Sequence, residues 1–263
     1  MEISISGIKL FKACRRAYFF KYIENLVPIE KFEALEVGKN YHKRLEALYN
    51  GEELEQDFSK ESAMVEAYKK YIYPHFKVKS AENKFEYDLG NEHILHGITD
   101  GLTEDGFLVE HKTKGSEITE QYEYDLMWDE QILAYMLATN TRKVFYTVIR
   151  KPTIRIKKNE TEEEFYQRMI DWYDEDTESK IRLLEIERTD DEVEQFKKNL
   201  DSIMLEMDIT ENQNKYSQVI SDPYYRNTCH CNMYGRRCEY SGICLYYDSN
   251  NEYVEFERRA TWN

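Results

Sequence analysis

Two short stretches, Gly97-Ile98-Thr99-Asp100 and Val109-Glu110-His111-Lys112, decide how this chain folds. They lie in apolar or alternating runs from His93 to Leu102 and from Phe107 to Lys112, and a third such run covers Lys84 to Leu89. Asn91, Asp105 and Gly106 supply turn chemistry between the runs, so the three read as strands of a meander. Asp100 then lies on the second strand and Glu110 on the third. If these strands pair, both carboxylates reach one point at the edge of the sheet. Carboxylates that close repel unless a cation lies between them, and a hard divalent ion such as Mg²⁺ or Mn²⁺ suits oxygen ligands. Glu110 and Lys112 are two apart and share one face of a strand. That puts an ammonium beside the ion, where it orients a water nucleophile or neutralises phosphate charge, while the ion lowers the pKa of the water.

Outward from this pair, Ser4 or Ser6 caps a first helix that runs to about Leu26 and is stopped by Pro28. Phe32 to Tyr49 and Glu61 to Ile72 read as further helices, and Asp125 to Thr139 returns to helical spacing. Lys143 to Arg150 is β-rich, and Thr153 to Ile156 is a candidate short strand. A helix from about Thr161 to Tyr173, a strand from about Ile181 to Ile186 and a helix from Asp190 to Met207 precede a cysteine-rich tail. The order describes an α/β or α+β core, a mixed sheet flanked by helices.

The chain has 263 residues and 31.7 kDa, enough for one well-buried core with a helical appendage. An apolar fraction of 41% with 14% aromatics excludes a disordered chain, and four prolines and ten glycines exclude a collagenous or low-complexity one. No apolar run approaches the ~20 residues of a membrane helix. Met1-Glu2-Ile3-Ser4 lacks the basic, apolar start of a signal peptide, so the expectation is a soluble cytoplasmic protein with no membrane partner. The net charge is 36 − 51 = −15. This excludes a wholly basic nucleic-acid coat and leaves room for a locally basic groove. Lys9, Lys12, Arg15, Arg16 and Lys21 lie on the first helix, and Arg226, Arg236 and Arg237 in the tail. Brought together, they would track a phosphate backbone, with Tyr18, Phe19, Tyr234 and Tyr240 as stacking faces; taken singly, such cations are solvated and such tyrosines are core. The chain has no phosphate loop of the Gly-x-x-x-x-Gly-Lys-Ser/Thr kind, so any ATP motor is a separate partner.

Each candidate has an ordinary reading. A Glu-x-Lys on a strand is commonly a solvated pair worth ~0.2–1 kcal/mol. Glu82-Asn83-Lys84 has the same spacing, opens a polar strand and has no carboxylate placed like Asp100, so it is read as surface. Glu110 follows Phe107-Leu108-Val109, and a charge after a buried run needs a partner. His42, in Gly38-Lys39-Asn40-Tyr41-His42, is a nitrogen ligand to the same ion or a surface histidine. Gln131 and Tyr135, four apart, share a helix face and by default are structural. Cys14 stands alone, whereas Cys229, Cys231, Cys238 and Cys244 crowd into 16 residues. In a reducing compartment an odd, clustered set points to metal. Thiolates from both ends would bind a soft centre, [4Fe–4S] or Zn²⁺. Zinc on the four tail cysteines is the rival, although a tight Cys-x-Cys is unusual for it. A centre joining both ends would close a loop of more than 200 residues.

The ordered set Gly-x-x-x-His, Gly-x-x-Asp, Glu-x-Lys and Gln-x-x-x-Tyr, with one N-terminal and three C-terminal cysteines, resembles the RecB-like iron–sulfur branch of the PD-(D/E)XK nuclease superfamily. That branch includes AddB-type nuclease domains, CRISPR-adaptation exonucleases and phage relatives. The resemblance spans about Ser4 to Cys244. It implies a restriction-endonuclease-like α/β fold, a single nuclease domain over 1–263 with its core at about 33–187. An iron–sulfur subregion, about 4–26 plus 223–246, would join the N-terminal helix to the tail. It further implies His42, Asp100, Glu110 and the His111 carbonyl as ligands of Mg²⁺ or Mn²⁺, and Lys112 as the catalytic lysine. Gln131 and Tyr135 would support the site, and Cys14, Cys231, Cys238 and Cys244 would hold [4Fe–4S], with Tyr234-Gly235 between cysteines as in phage-type tails. Two departures stand out: the spacing of Cys231 and Cys238 makes Cys229 a rival ligand, and Thr99 replaces the proline of the superfamily's name.

The function so implied is a metal-dependent DNA exonuclease acting on single strands or duplex ends, in phage or CRISPR-adaptation-type DNA processing, beside a helicase, recombinase or adaptation partner. Lys12, Arg15, Arg16, Arg236 and Arg237 would contact DNA. The alternative is a non-catalytic DNA-binding or assembly subunit that keeps the scaffold and a structural metal cluster.

Overall fold

A computed structural model describes the chain except for residues 30–32, 55–56, 216–221, 234–235, 249–252 and 260–263; the side chains of 33–34, 215, 233 and 236 also lie outside the description. The chain divides into two compact units, Phe32–Glu86 with Gly97–Phe196, and Met1–Lys31 with Tyr87–His96 and Lys197–Asn263. The elements in chain order are β1 (Glu2–Ser4), α1 (Ile5–Ala13), α2 (Arg15–Tyr18), β2 (Leu26–Pro28), α3 (Glu33–Tyr49), α4 (Lys60–Tyr71), β3 (Val78–Gly90), β4 (His93–Thr103) and β5 (Leu108–Lys114). They continue with α5 (Glu120–Leu126), α6 (Glu130–Thr139), β6 (Lys143–Arg150), α7 (Glu162–Glu175), β7 (Ile181–Glu187), α8 (Asp190–Lys215), β8 (Asn232–Met233), β9 (Arg236–Arg237) and β10 (Phe256–Arg258).

The unit built on residues 32–86 and 97–196 has a mixed central sheet flanked by helices. β3 pairs with β4, and β4 runs antiparallel to β5 with Gly101 opposite Val109, as the meander reading expects. β5 then runs parallel to β6, with Glu110 opposite Tyr146 and Lys112 opposite Val148, and β6 antiparallel to β7. The parallel step needs a crossover, and α5 and α6 supply it. On one face of the sheet, Tyr41 and Leu45 of α3, Met64 and Tyr68 of α4, and Tyr173 of α7 pack against Ile149 and Ile181 in one buried cluster. α7 opens on a full capping box, Thr161 with Glu164.

The second unit contains a parallel pairing of β1 with the start of β4, Ile3 opposite Leu95, and an antiparallel pair of β2 with β10. The turn between β3 and β4 holds Asn91 and Glu92 at φ of 51° and 64°, the left-handed pair that a tight two-residue hairpin loop demands. Cys14, Ala17, Phe20, Leu26, Tyr240 and Ile243 form its buried cluster.

Three expectations are corrected. The first helix does not run unbroken to Leu26: Cys14 is extended (φ −162°, ψ 109°), α2 lasts one turn, and Phe19–Ile23 is a π turn. Residues 153–156 form no strand, because the chain after Lys151 leaves the sheet. The helix expected over Asp125–Thr139 is two helices, since Asp129 is extended and caps α6, its side chain accepting from the Gln131 amide at 3.1 Å.

Candidate active site

The site lies wholly within the unit that carries the mixed sheet. Side-chain alternation along β5 sends Glu110 and Lys112 to one face and His111 to the other. Lys112 Nζ donates to Glu110 Oε1 at 2.7 Å and to Gln131 Oε1 at 3.2 Å, and lies 3.4 Å from Asp129 Oδ2. Gln131 Nε2 donates to Glu110 Oε1 at 3.1 Å and to the Tyr135 hydroxyl at 2.8 Å. One helical turn of α6 therefore braces both ends of the Glu-x-Lys pair. The other carboxylate oxygen, Glu110 Oε2, is buried with no hydrogen-bond partner among the described residues. Burial, and then the charge of Asp100, pushes the Glu110 carboxyl up to about 7. Burial alone would lower the Lys112 ammonium, but the charges of Glu110, Asp129 and Asp100 and the bond to Glu110 together outweigh it and hold the group above its usual value.

Asp100 Oδ2 accepts the backbone N–H of His111 at 2.7 Å, while Oδ1 lies 3.4 Å from His42 Nδ1. Burial opposes the charge of Asp100, yet the bonds from His42 and the His111 backbone hold its carboxyl below the ordinary value. Burial likewise opposes the charge on His42, and Asp100 reverses the balance. Two glycines permit these approaches. A Cβ on Gly38 would lie 3.1 Å from Thr113 Oγ1, and one on Gly97 would lie 2.6 Å from Phe85 Cζ and 3.4 Å from Tyr135 Cε1. α3 thus seats against β5, and the ring of Phe85 lies over β4.

The His111 imidazole is buried on the opposite face, with Nε2 3.1 Å from the Tyr49 hydroxyl and Nδ1 2.5 Å from Thr147 Oγ1. Burial lowers it to about 4, so the ring is neutral. Its side chain anchors β5 to α3 and β6, its ring lies 5.8 Å from that of His42, and its backbone N–H bonds Asp100.

The sequence reading set Glu82 aside as surface, and the structure corrects this. His42, Glu82 and Asp100 each offer one ligand atom, all within 4.8 Å of one another, and no other group of three or more does so among the described residues. Glu82 adopts φ +49° within β3, a backbone cost of roughly 1–3 kcal/mol for a residue with a Cβ. No spacing rule announces such a residue within a strand. Asp129 was also missed. The run Trp128-Asp129-Glu130 before an apolar helix carries the signal, an acidic N-cap.

His42, Glu82 and Asp100 form a hard donor set of imidazole and carboxylate suited to a divalent ion of the magnesium or manganese class, and Glu110, with its buried unpartnered oxygen, lies outside that group of ligand atoms. Without a cation, Asp100 and Glu110 repel.

The residues expected at the ends of the chain lie in the other unit. Arg15 bonds Glu206 at 2.9 Å and Thr210 at 3.0 Å, and Arg16 pairs with Asp222, so both guanidiniums face acidic partners of this −15 chain. Lys12 lies in the last turn of α1, and Arg237 is exposed on β9. The Arg236 side chain and the Tyr234-Gly235 pair lie outside the described residues. All five cysteines are free thiols; Cys14 is buried and Cys229 exposed. No cysteine set meets the single-ion spacing among the described residues. The zinc alternative on Cys229, Cys231, Cys238 and Cys244 therefore has no formed ligand set, and an iron–sulfur centre on Cys14, Cys231, Cys238 and Cys244 is not shown. Cys14, Cys238 and Cys244 do share one apolar cluster. Burial raises the thiols of Cys238 and Cys244, and Cys14 and Cys231 add to the effect.

Comparison with solved structures returns low similarity. SSO0001 aligns at 16% identity and a TM-score of 0.41, covering 78% of this chain and 75% of that one. A phage-related exonuclease from Haemophilus somnus 129PT aligns at 15% identity and 0.36, covering 72% and 90%. An alkaline exonuclease (LHK-Exo) from Laribacter hongkongensis aligns at 12% identity and 0.37, covering 83% and 95%. No curated protein matches the sequence. A family model does match, over residues 2–93 and 58–245, and with it the chain belongs to the PD-(D/E)XK nuclease superfamily.

Proposed function

We propose that the chain is a metal-dependent deoxyribonuclease, an exonuclease acting on single strands or strand ends. One observation carries the reading. Glu110 presents a buried, unpartnered oxygen beside Asp100, while its other oxygen is fixed by Lys112 and Gln131. A scaffold gains nothing from leaving such an atom unsatisfied; a cation site does.

His42, Glu82, Asp100 and Glu110 would hold Mg²⁺ or Mn²⁺. A bound divalent ion supplies Lewis-acid charge for a phosphate oxygen and lowers the pKa of water. Within the chain, Asp100 and Glu110 would help hold the ion on which a phosphate oxygen rests, and Lys112 would neutralise the negative charge that develops on the phosphate. Gln131 and Asp129 hold the Lys112 ammonium in reach. Tyr135 fixes the Gln131 amide. We further propose that Cys14, Cys231, Cys238 and Cys244 bind [4Fe–4S], a reading supported by the free thiols of Cys14, buried, and Cys238 and Cys244, partly buried, which bring both chain ends into one apolar cluster that does not include Cys231. The setting that suits this reading is cytoplasmic DNA-end processing of a phage or CRISPR-adaptation kind, with the motor on a partner.

The test is digestion of end-labelled single-stranded DNA with Mg²⁺ or Mn²⁺ by the wild type and Lys112→Ala. Loss of a charge-stabilising donor is expected to slow cutting by roughly 10²–10³-fold, with DNA binding and circular dichroism retained. Equal cutting by the variant would leave the non-catalytic scaffold as the better account.

A further inference from the structure

Lys112 has two counter-ions, and only one of them belongs to the motifs that carry the family resemblance. Its ion pairs among the described residues are with Glu110 Oε1 at 2.7 Å and with Asp129 Oδ2 at 3.4 Å. Glu110 stands in the Glu-x-Lys motif, whereas Asp129 precedes the Gln-x-x-x-Tyr helix and lies in none of the motifs. Glu110 also has a second duty, since its other oxygen is buried and unpartnered. The Asp129 carboxylate is fixed at both oxygens. Oδ1 accepts the Gln131 amide N–H at 3.1 Å, and Oδ2 accepts the hydroxyl of the fully buried Tyr146 at 3.2 Å. The Asp129 side chain is only 11% exposed, so water screens its charge weakly. The Tyr146 ring lies 5.9 Å from the same ammonium and adds the attraction of its π face.

Glu110 cannot serve two cations without loss. When it gives its charge to a divalent ion, the ammonium loses attraction and is repelled by the ion. Gln131 is neutral and offers no charge to oppose that repulsion. A lysine with Glu110 as its one counter-ion would leave the site, or would keep the ion from Glu110. We infer, on the reading that Glu110 helps hold a divalent ion, that Asp129 is a positioning residue, the counter-ion that keeps Lys112 beside the site while Glu110 is engaged. Asp129 thereby lets a lysine and a divalent ion share one carboxylate. Without its charge, Lys112 falls back on Glu110 and opposes the ion, and the ammonium is withdrawn from the phosphate.

The test is a double-mutant cycle on Mn²⁺ binding, read by calorimetric titration of the full chain without DNA. Asparagine caps a helix as well as aspartate does, so Asp129→Asn removes the charge and keeps the start of α6. Alone, it should weaken Mn²⁺ binding by about 10–100-fold, the usual cost of removing a group that orients a side chain of an ion site. In a Lys112→Met background the same substitution should cost at least about fivefold less, a coupling of the size seen within one ion-pair network. A purely structural Asp129 would give equal losses in both backgrounds. Asp125→Asn, at an exposed position of α5, should leave Mn²⁺ binding unchanged. If Asp129→Asn does not fold, Tyr146→Phe, which removes the bond to Oδ2, should show the same lysine-dependent weakening on a smaller scale. A second arm follows digestion of end-labelled single-stranded DNA at saturating Mn²⁺. There Asp129→Asn should lower kcat by about tenfold or more with KM unchanged, and should lower it no further once Lys112 is methionine. Equal losses of Mn²⁺ affinity with and without Lys112, in a protein that cuts DNA, overturn the role of Asp129 and leave the nuclease reading standing. Lysine-dependent losses in a protein that cuts no DNA keep the role and remove the nuclease reading. A wild type that binds no Mn²⁺ overturns both.

Discussion

Replacing Glu110 by glutamine should stabilise the metal-free protein above neutral pH while removing its chemistry. Glu110 is 3% exposed, and its carboxyl is raised from 4.5 to about 7 by burial and by Asp100. An acid whose folded pKa exceeds its unfolded value binds its proton more tightly when folded. The stability it contributes is therefore full below about pH 4.5 and is lost as the pH rises through 7. At about 1.36 kcal/mol per unit, the 2.5-unit gap between the two pKa values makes the ionised carboxylate cost about 3 kcal/mol at pH 8. Glutamine carries no such cost and keeps an oxygen for Lys112. With an unfolding entropy near ~2 cal/mol/K per residue over 263 residues, the variant should melt about 5 °C above the wild type in EDTA at pH 8. At pH 5 the advantage should shrink to about 1 kcal/mol or less. Adding Mn²⁺ should reverse the order, because an ion at a hundred times its dissociation constant adds about 2.7 kcal/mol to the form that binds it. Melting curves from pH 5 to 8, with EDTA and with Mn²⁺, read both effects. A variant that melts below the wild type in EDTA at pH 8 refutes the reasoning.

Glu82→Gln should weaken Mn²⁺ binding about tenfold, roughly 1.4 kcal/mol, as read by the metal-induced rise in melting temperature, while Glu86→Gln on the same strand leaves it unchanged. Gly97→Ala forces a methyl to within 2.6 Å of the Phe85 ring and should cost about 1–3 kcal/mol in chemical denaturation; a neutral result would show that β4 shifts freely. At Asp57, burial raises the carboxyl, but bonds from Ser59 and Ser62 outweigh it and hold the group at about 2. The stability it contributes is present above about pH 4 and lost as the pH falls towards 2, so Asp57→Asn should flatten that part of the acid-unfolding curve. Anaerobically purified protein should show iron-dependent visible absorbance that Cys14→Ser removes; a colourless protein with stoichiometric zinc would oppose the cluster.

The strands of the core were legible because they carry local signals. Lys143 to Arg150 matches β6 end for end, since β-branched and aromatic residues fill a strand buried between neighbours. The Glu110–Lys112 pair followed from a two-residue period alone. Glu82 did not, because its role depends on a left-handed backbone and on a helix more than thirty residues away in sequence; its triplet is locally indistinguishable from a solvated one. The break at Cys14 falls where the three-to-four spacing of Ile8, Phe11, Tyr18, Tyr22 and Leu26 has its gap, but the helical periodicity on both sides carried the expected helix through it. The basic run on α1 and α2 suggested a phosphate track, but sequence could not show that Glu206 and Asp222 meet Arg15 and Arg16 from more than 190 residues away.

The division of labour along β5 limits how this chain can vary. Consecutive residues serve opposite sides of the sheet, Glu110 and Lys112 towards α6 and His111 towards Tyr49 and Thr147. A slip of one position against β6 would hand the imidazole to the reaction side and bury an unmatched cation in the tyrosine layer. A residue inserted within β5 between Val109 and Lys112 would do this, whereas one added to the Glu104–Phe107 turn lengthens the turn and leaves the β5–β6 pairing in place. The strand itself, and not its approach, is where this chain tolerates no change of length.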